Sequence, residues 1–254
     1  MIGLCSVTFR DDSVEFNIDL AKKAGIQAIE WGSDNHLPED NIEQAEKVAQ
    51  LMHEAGLTTS SYGSYYKLGL FDDFQPFIQI AQIVDASIIR VWAGEEGSAD
   101  VAIDDRQDMI EDANRIGKMA AEANLSIALE YHMDTLTDTP SSAQQLMQEV
   151  TAHNVYLYWQ PAESLTVEER IESLPNLAPW ITNVHVFHWQ DFYNRYPLAD
   201  GQDEWLQYIQ TIEKESPNKH HYLIEFVPGE DQKQGFLDSV ATLKAWLDQL
   251  NIEY

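Results

Sequence analysis

The chain is poor in cysteine, in basic residues and in long apolar runs. Cys5 is its one cysteine in 254 residues, so no disulfide can form within it. No run approaches the roughly 18 apolar residues that a membrane-spanning helix needs. Fifteen lysines and arginines face 43 acids, for a formal net charge of −28. Such a surface repels nucleic acid and anionic lipid, which argues against both as partners. The first residues, Met-Ile-Gly-Leu-Cys-Ser-Val, lack the basic start and apolar core of a secretory signal, so a cytoplasmic protein is expected. Also missing are a G-x-G-x-x-G fingerprint and a Walker loop. Their absence leaves a doubly wound open sheet without its usual support.

What is present is a rhythm. Lys-Ala-Gly-Ile ends at Ile26, Glu-Ala-Gly-Leu at Leu57, Asp-Ala-Ser-Ile at Ile88 and Glu-Ala-Asn-Leu at Leu125. Each closes an amphipathic run with Gly, Ser or Asn and then opens an apolar one. That pattern predicts helix C-caps leading into strands, one βα unit apart. Strands are expected at Ile2–Phe9, Ile26–Trp31, Thr58–Tyr62, Ser87–Trp92, Ser126–Tyr131, Val155–Gln160, Ile181–His188 and Tyr222–Val227. Helices are expected between them, including Asp104–Ala123 and Gln232–Leu250. Eight alternating units in a chain of this length predict one α/β domain over residues 1–254, a (β/α)8 TIM barrel, for which about 250 residues are typical.

Chemistry in this fold belongs at the C-terminal strand ends. Glu130 ends Ser-Ile-Ala-Leu-Glu, Glu225 ends Tyr-Leu-Ile-Glu, and His185 lies inside Val-His-Val-Phe-His. A carboxylate there is costly to bury unless it is paired or metal-bound. Any one of the three could simply hold a buried hydrogen-bonding partner. Together they suit a divalent ion such as Mn, Mg, Co or Zn. Glu30 also ends a strand and receives no role. Arg10, Lys67 and Arg90 stand at strand ends and could hold substrate oxygens, or pair with neighbouring acids. Trp31, Trp92 and Trp159 could wall an apolar slot, or pack in the core. His132 and His188 read as substrate contacts, partners of a metal ligand, or plain loop residues. Cys5, mid-strand with no neighbouring base, reads as core.

At these residues the chain resembles the sugar phosphate isomerase/epimerase superfamily, the xylose isomerase-like barrels. Glu130-Tyr131-His132 resembles its strand-five Glu-x-His, and His185-Val186-Phe187-His188 its strand-seven His-x-Lys-Asp. Glu225 resembles its strand-eight glutamate. Ile29–Gly32, Ser61–Tyr66 and Arg90–Gly94 add to the likeness. The resemblance implies one divalent metal on Glu130, His185, Glu225 and a strand-six position. That last position is usually Asp and here is Gln160. An amide there leaves two carboxylates in place of three. The family's next His is Glu163, and its Lys-Asp is Phe187-His188.

The resemblance implies a carbohydrate-metabolism enzyme acting on a small sugar, sugar phosphate or keto-polyol. Glu130 and Glu225 would transfer the α-proton as paired catalytic bases of an isomerase or epimerase. Lys67, Arg90, Trp92, His132, His188, Trp31 and Trp159 would contact substrate. Two alternatives stand beside it: a dehydratase sharing the first proton abstraction, and a non-catalytic sugar-binding barrel, for which Gln160 is the motive. An abasic-site endonuclease shares the fold, but its three-zinc cluster needs more ligands than these strand ends offer. A homodimer is compatible with the sequence.

Overall fold

The computed structural model describes residues 1–70 and 73–254. Its strands are β1 (Ile2–Cys5), β2 (Ala28–Gly32), β3 (Thr58–Lys67), β4 (Ile88–Trp92), β5 (Ser126–Leu129), β6 (Val155–Trp159), β7 (Ile181–Val186) and β8 (His221–Ile224). All eight are parallel and pair in chain order, and β8 closes on β1 through Gly3 opposite Leu223. Closure leaves no sheet edge. Outside them lie α1 (Val14–Ala24), α2 (Ile42–Ala55), α3 (Gln75–Ile83), α4 (Ile103–Glu122), α5 (Pro140–Glu149), α6 (Val167–Leu177), α7 (Gln202–Glu215) and α8 (Gln232–Gln249). The chain is a (β/α)8 barrel. No helix among the described residues is long and apolar enough to cross a membrane.

The helix-end rhythm has a backbone cause. Gly25 (φ 63°), Gly56 (φ 68°) and Asn124 (φ 59°) are left-handed, as C-caps of that kind require. The third unit departs. There Asp85 (φ 55°) takes the left-handed turn instead of Ser87, because α3 stops earlier, at Ile83. Strand ends differ as well. β1 stops at Cys5 and Ser6–Phe9 form a 3₁₀ turn, in which the Ser6 hydroxyl accepts from the Gly32 amide at 2.9 Å. β3 runs five residues past its expected end. β8 ends at Ile224, and Phe226 then turns left-handed (φ 47°).

Side chains alternate across each strand, and this splits the core in two. Outward residues pack under the helices. Trp31 is fully buried and meets the His36 ring at 5.6 Å. Trp159 packs on Trp205 and Tyr208 of α7 at 6.2 and 5.2 Å. Inward residues fill the barrel. At its lower end Ile88, Ala128, Tyr158 and Leu223 form a separate apolar cluster. Above that cluster the inward positions become polar. Cys5, Glu30, Ser61, Asn183 and His185 are all buried there.

His221 opens β8 near the amino terminus. Burial, the N-terminal ammonium and His220 push its pKa down to about 4 from an ordinary 6.5. The unfolded chain therefore takes up a proton between pH 6.5 and 4 that the folded chain refuses, and stability falls as pH drops through that window. His221→Gln is expected to retain on the order of 2 kcal/mol more stability than wild type on going from pH 7 to 4, read by urea unfolding at each pH. Parallel losses in both proteins would contradict this.

Candidate active site

Four strands deliver one buried constellation. Glu130 follows β5, Gln160 follows β6, His185 lies in β7 and Glu225 follows β8. Glu130, His185 and Glu225 each offer a ligand atom, and these atoms lie within 4.8 Å of one another. His185 Nδ1 is 3.4 Å from Glu225, 3.6 Å from Glu130 and 3.0 Å from Gln160 Oε1. Its Nε2 points the other way, toward Glu30 at 3.5 Å. The groups are acids, an imidazole and an amide oxygen, a donor set suited to a hard or borderline divalent ion. A ligating His commonly directs its second nitrogen at a carboxylate, as this one does. The residues fit the metal that the sequence implied.

Beneath the constellation lies an ion-pair chain. Arg90, on β4, pairs with Glu130 and lies 3.3 Å from Glu30. Gly63 makes room for it: a Cβ there would come within 2.9 Å of Arg90 Nη2. Glu30 accepts from Tyr158 (2.5 Å), Ser61 (2.9 Å) and the Cys5 thiol (3.3 Å). Burial works against its carboxylate, yet Arg90 and His185 hold the pKa well below the usual range. Burial also opposes charge on His185, but Glu225, Glu30 and Glu130 raise it to about 9. Glu225 goes up, pushed by burial and by Glu130, with His185 in opposition.

Over the constellation opens a cavity of about 360 Å³. Glu130, Gln160 and Glu225 line its floor. Its walls include Tyr131, Met133, Phe187, Trp189, Phe192 and Phe226, and His132, Asp138, Glu163 and Ser164 supply its polar rim. His132 Nδ1 donates to the Met133 carbonyl at 2.7 Å, and its ring stacks on Trp92 at 4.5 Å. In the neutral imidazole that donation puts the lone pair on Nε2. Glu163 is raised by burial and by Asp191, with His132 opposing.

The remaining expected contacts separate by position. Trp92 stands beside the cavity through His132. Lys67 pairs with Glu95 at 2.8 Å and lies 5.7 Å over the Trp92 ring. Arg10 pairs with Asp34 at 3.5 Å. Trp31 and Trp159 are corrections: as outward residues they are covered by helices and cannot wall the slot. His188 is another. It follows the end of β7 and lies against α7, with Nδ1 2.9 Å from Glu204. Sequence reasoning gave no role to Glu30 or to the aromatic wall. Glu30 shares the inward parity of its strand, the one signal that marked it. Half of the wall, Phe187, Trp189 and Phe192, comes from the β7–α7 loop, and the rest from the segments after β5 and β8, beyond the observed strand ends.

The sequence profile of the xylose isomerase-like TIM barrel family matches residues 18–246. The chain belongs to that family. A 3-dehydroshikimate dehydratase from Bacillus anthracis is 27% identical to it over 200 residues, which span 72% of this chain and 70% of the relative. A crystal structure of the probable 3-DHS dehydratase of petrobactin synthesis, from the same organism, superposes with a TM-score of 0.79 at 22% identity. The match covers 96% of this chain and 98% of that one. The 3-keto-D-glucoside 4-epimerase of E. coli superposes at 0.72 with 18% identity, over 96% and 98% of the two chains. Both superpositions speak to the fold.

Removing Arg90 leaves Glu30 and Glu130 buried without their cation. Arg90→Met is expected to cost about 3–5 kcal/mol in urea unfolding at pH 7. A loss below about 1 kcal/mol would mean that solvent, rather than Arg90, neutralises these acids.

Proposed function

We propose that this chain is a carbon–oxygen lyase that removes water from a hydroxylated cyclic ketone of the dehydroshikimate type. The observation that carries the reading is the slot itself. Six apolar or aromatic side chains face a floor of two glutamates and an amide, with His185 buried just beneath. Such walls suit a flat ring that becomes flatter as it reacts. A polyol would leave hydroxyls without partners against them, at a cost in desolvation. The B. anthracis dehydratase relative supports the same class.

A divalent cation such as Mn, Mg, Co or Zn, held by Glu130, His185 and Glu225 with Gln160 beside them, supplies Lewis-acid polarisation of a substrate carbonyl. His132 Nε2 takes the proton α to that carbonyl, since Nδ1 is already committed to Met133. The β-carbon–oxygen bond then breaks. Glu163 gives its proton to the departing hydroxyl, which leaves as water, and the proton on His132 restores the acid through solvent. Burial of Glu163 favours the protonated form that this role needs. The aromatic walls orient the ring and exclude bulk water. The isomerase or epimerase reading would use Glu130 and Glu225 as paired bases. Arg90 engages Glu130, which makes the two carboxylates unequal and favours a one-base elimination. A single buried thiol fits a reducing, cytoplasmic setting within the same proposal.

Incubated with Mn²⁺ and 3-dehydroshikimate, the protein is expected to form a dihydroxybenzoate, followed as growing aromatic ultraviolet absorbance. His132→Asn is expected to lower kcat/KM by about 10²–10⁴-fold. No absorbance change, with inversion of a carbinol centre in a keto-sugar instead, would transfer the assignment to an epimerase.

A further inference from the structure

Glu30 is met by side chains from five other strands, and the chemistry above leaves it idle. It is fully buried and does not line the cavity. One oxygen, Oε2, accepts from the Tyr158 hydroxyl at 2.5 Å and the Ser61 hydroxyl at 2.9 Å. Asn183 donates in turn to Tyr158 at 2.8 Å, which fixes that hydroxyl. The other oxygen, Oε1, faces the Cys5 thiol at 3.3 Å, Arg90 Nε at 3.3 Å and His185 Nε2 at 3.5 Å. Donors from β1, β3, β4, β6 and β7 thus converge on one β2 carboxylate.

The orientation of His185 makes this arrangement informative. Nδ1 faces Glu130, Glu225 and Gln160. Nε2 has no hydrogen-bond partner among the described residues, and Glu30 is the acceptor it faces. An imidazole that ligates through Nδ1 must carry its proton on Nε2, and a carboxylate behind that proton fixes tautomer and ring plane. The same carboxylate faces Arg90, whose guanidinium holds Glu130. Glu30 therefore reaches two of the three candidate metal ligands, His185 directly and Glu130 through Arg90. Cys5, Glu30 and His185 also have metal-like spacing among themselves. There, however, the carboxylate already faces Arg90 and two hydroxyls, so its lone pairs are committed.

We propose that Glu30 is a positioning residue that presets the metal site, by accepting a hydrogen bond from His185 Nε2–H and by seating Arg90 against Glu130. The inference rests on the metal-site reading but not on the choice of reaction. It predicts that removing the charge of Glu30 weakens metal binding itself, beyond any effect on turnover.

The test is Mn²⁺ affinity of the full chain, measured by calorimetric titration for wild type, Glu30→Gln, Tyr158→Phe and Glu225→Gln. Long-range ¹H–¹⁵N spectra of the Zn²⁺-loaded proteins report the His185 tautomer. Glu30→Gln is expected to bind Mn²⁺ about 10–100-fold more weakly, with the Nε2–H signal of His185 shifted or broadened. Tyr158→Phe keeps the Glu30 charge and removes one of its hydrogen bonds. It is expected to weaken binding severalfold, and it serves as the reporter if Glu30→Gln does not fold. Wild-type affinity and an unmoved His185 signal in Glu30→Gln, with binding lost in Glu225→Gln, would overturn the role of Glu30 and leave the metal site standing. Unchanged affinity in a folded Tyr158→Phe, where Glu30→Gln does not fold, would overturn it as well. Absence of Mn²⁺ binding in wild type would overturn it together with the metal-site reading. Tight Mn²⁺ binding without dehydration would sink only the proposed reaction.

Discussion

The centre of this barrel depends on one guanidinium. Arg90 lies nearly out of solvent between Glu30 and Glu130, with burial opposing its charge and the two carboxylates sustaining it. Coulomb attraction of that kind is strong only where water is excluded, and there an unpaired member is costly. The pair with Glu130 fixes a carboxylate at the floor of the cavity. The contact with Glu30 ties the same cation to a hydrogen-bond network drawn from β1, β3, β6 and β7. Geometry at the floor thus comes from rigid strands, while the loops above supply the walls. Gly63 is small for the same reason, since a side chain there would stand where Arg90 stands.

This layering explains how one interior holds both a core and a site. Near the amino-terminal ends of the strands the inward positions are apolar, at Ile88, Ala128 and Leu223. One step up the same strands they become Arg90, Glu130 and Glu225. Each polar residue follows its apolar neighbour by two, the strand repeat, so all of them share the interior face. Buried charge is tolerated because every carboxylate there has a cation or several donors within reach. The exposed acids that give the chain its net charge lie outside this region and take no part in it.

Much of this was legible in the sequence, and the limits have physical causes. Alternating units of about 30 residues, closed by Gly25, Gly56 and Asn124, required a left-handed turn at each helix end, and those turns are present. Glu130, His185 and Glu225 stood out because charge or imidazole inside an apolar strand demands a partner, and the strands bring them together. Parity was the neglected signal. Trp31 directly follows Glu30, so it must face the helices when Glu30 faces the barrel, and Trp159 bears the same relation to Tyr158. Applied strictly, the two-residue repeat would have removed both tryptophans from the expected slot and drawn attention to Glu30. The wall of Phe187, Trp189, Phe192 and Phe226 lies in segments with no repeat. The left-handed backbone at Phe226, strained for a residue of this type, has no signature in composition.

The central claim is that the imidazole of His185 divides the site, with Nδ1 toward a cation and Nε2 toward Glu30. A crystal soaked in Mn²⁺ and measured for anomalous scattering tests it directly. One strong peak is predicted, within bonding distance of His185 Nδ1 and of the Glu130 and Glu225 carboxylates. A peak on the Nε2 side among Cys5 and Glu30, or no peak at any of these groups, would contradict the account.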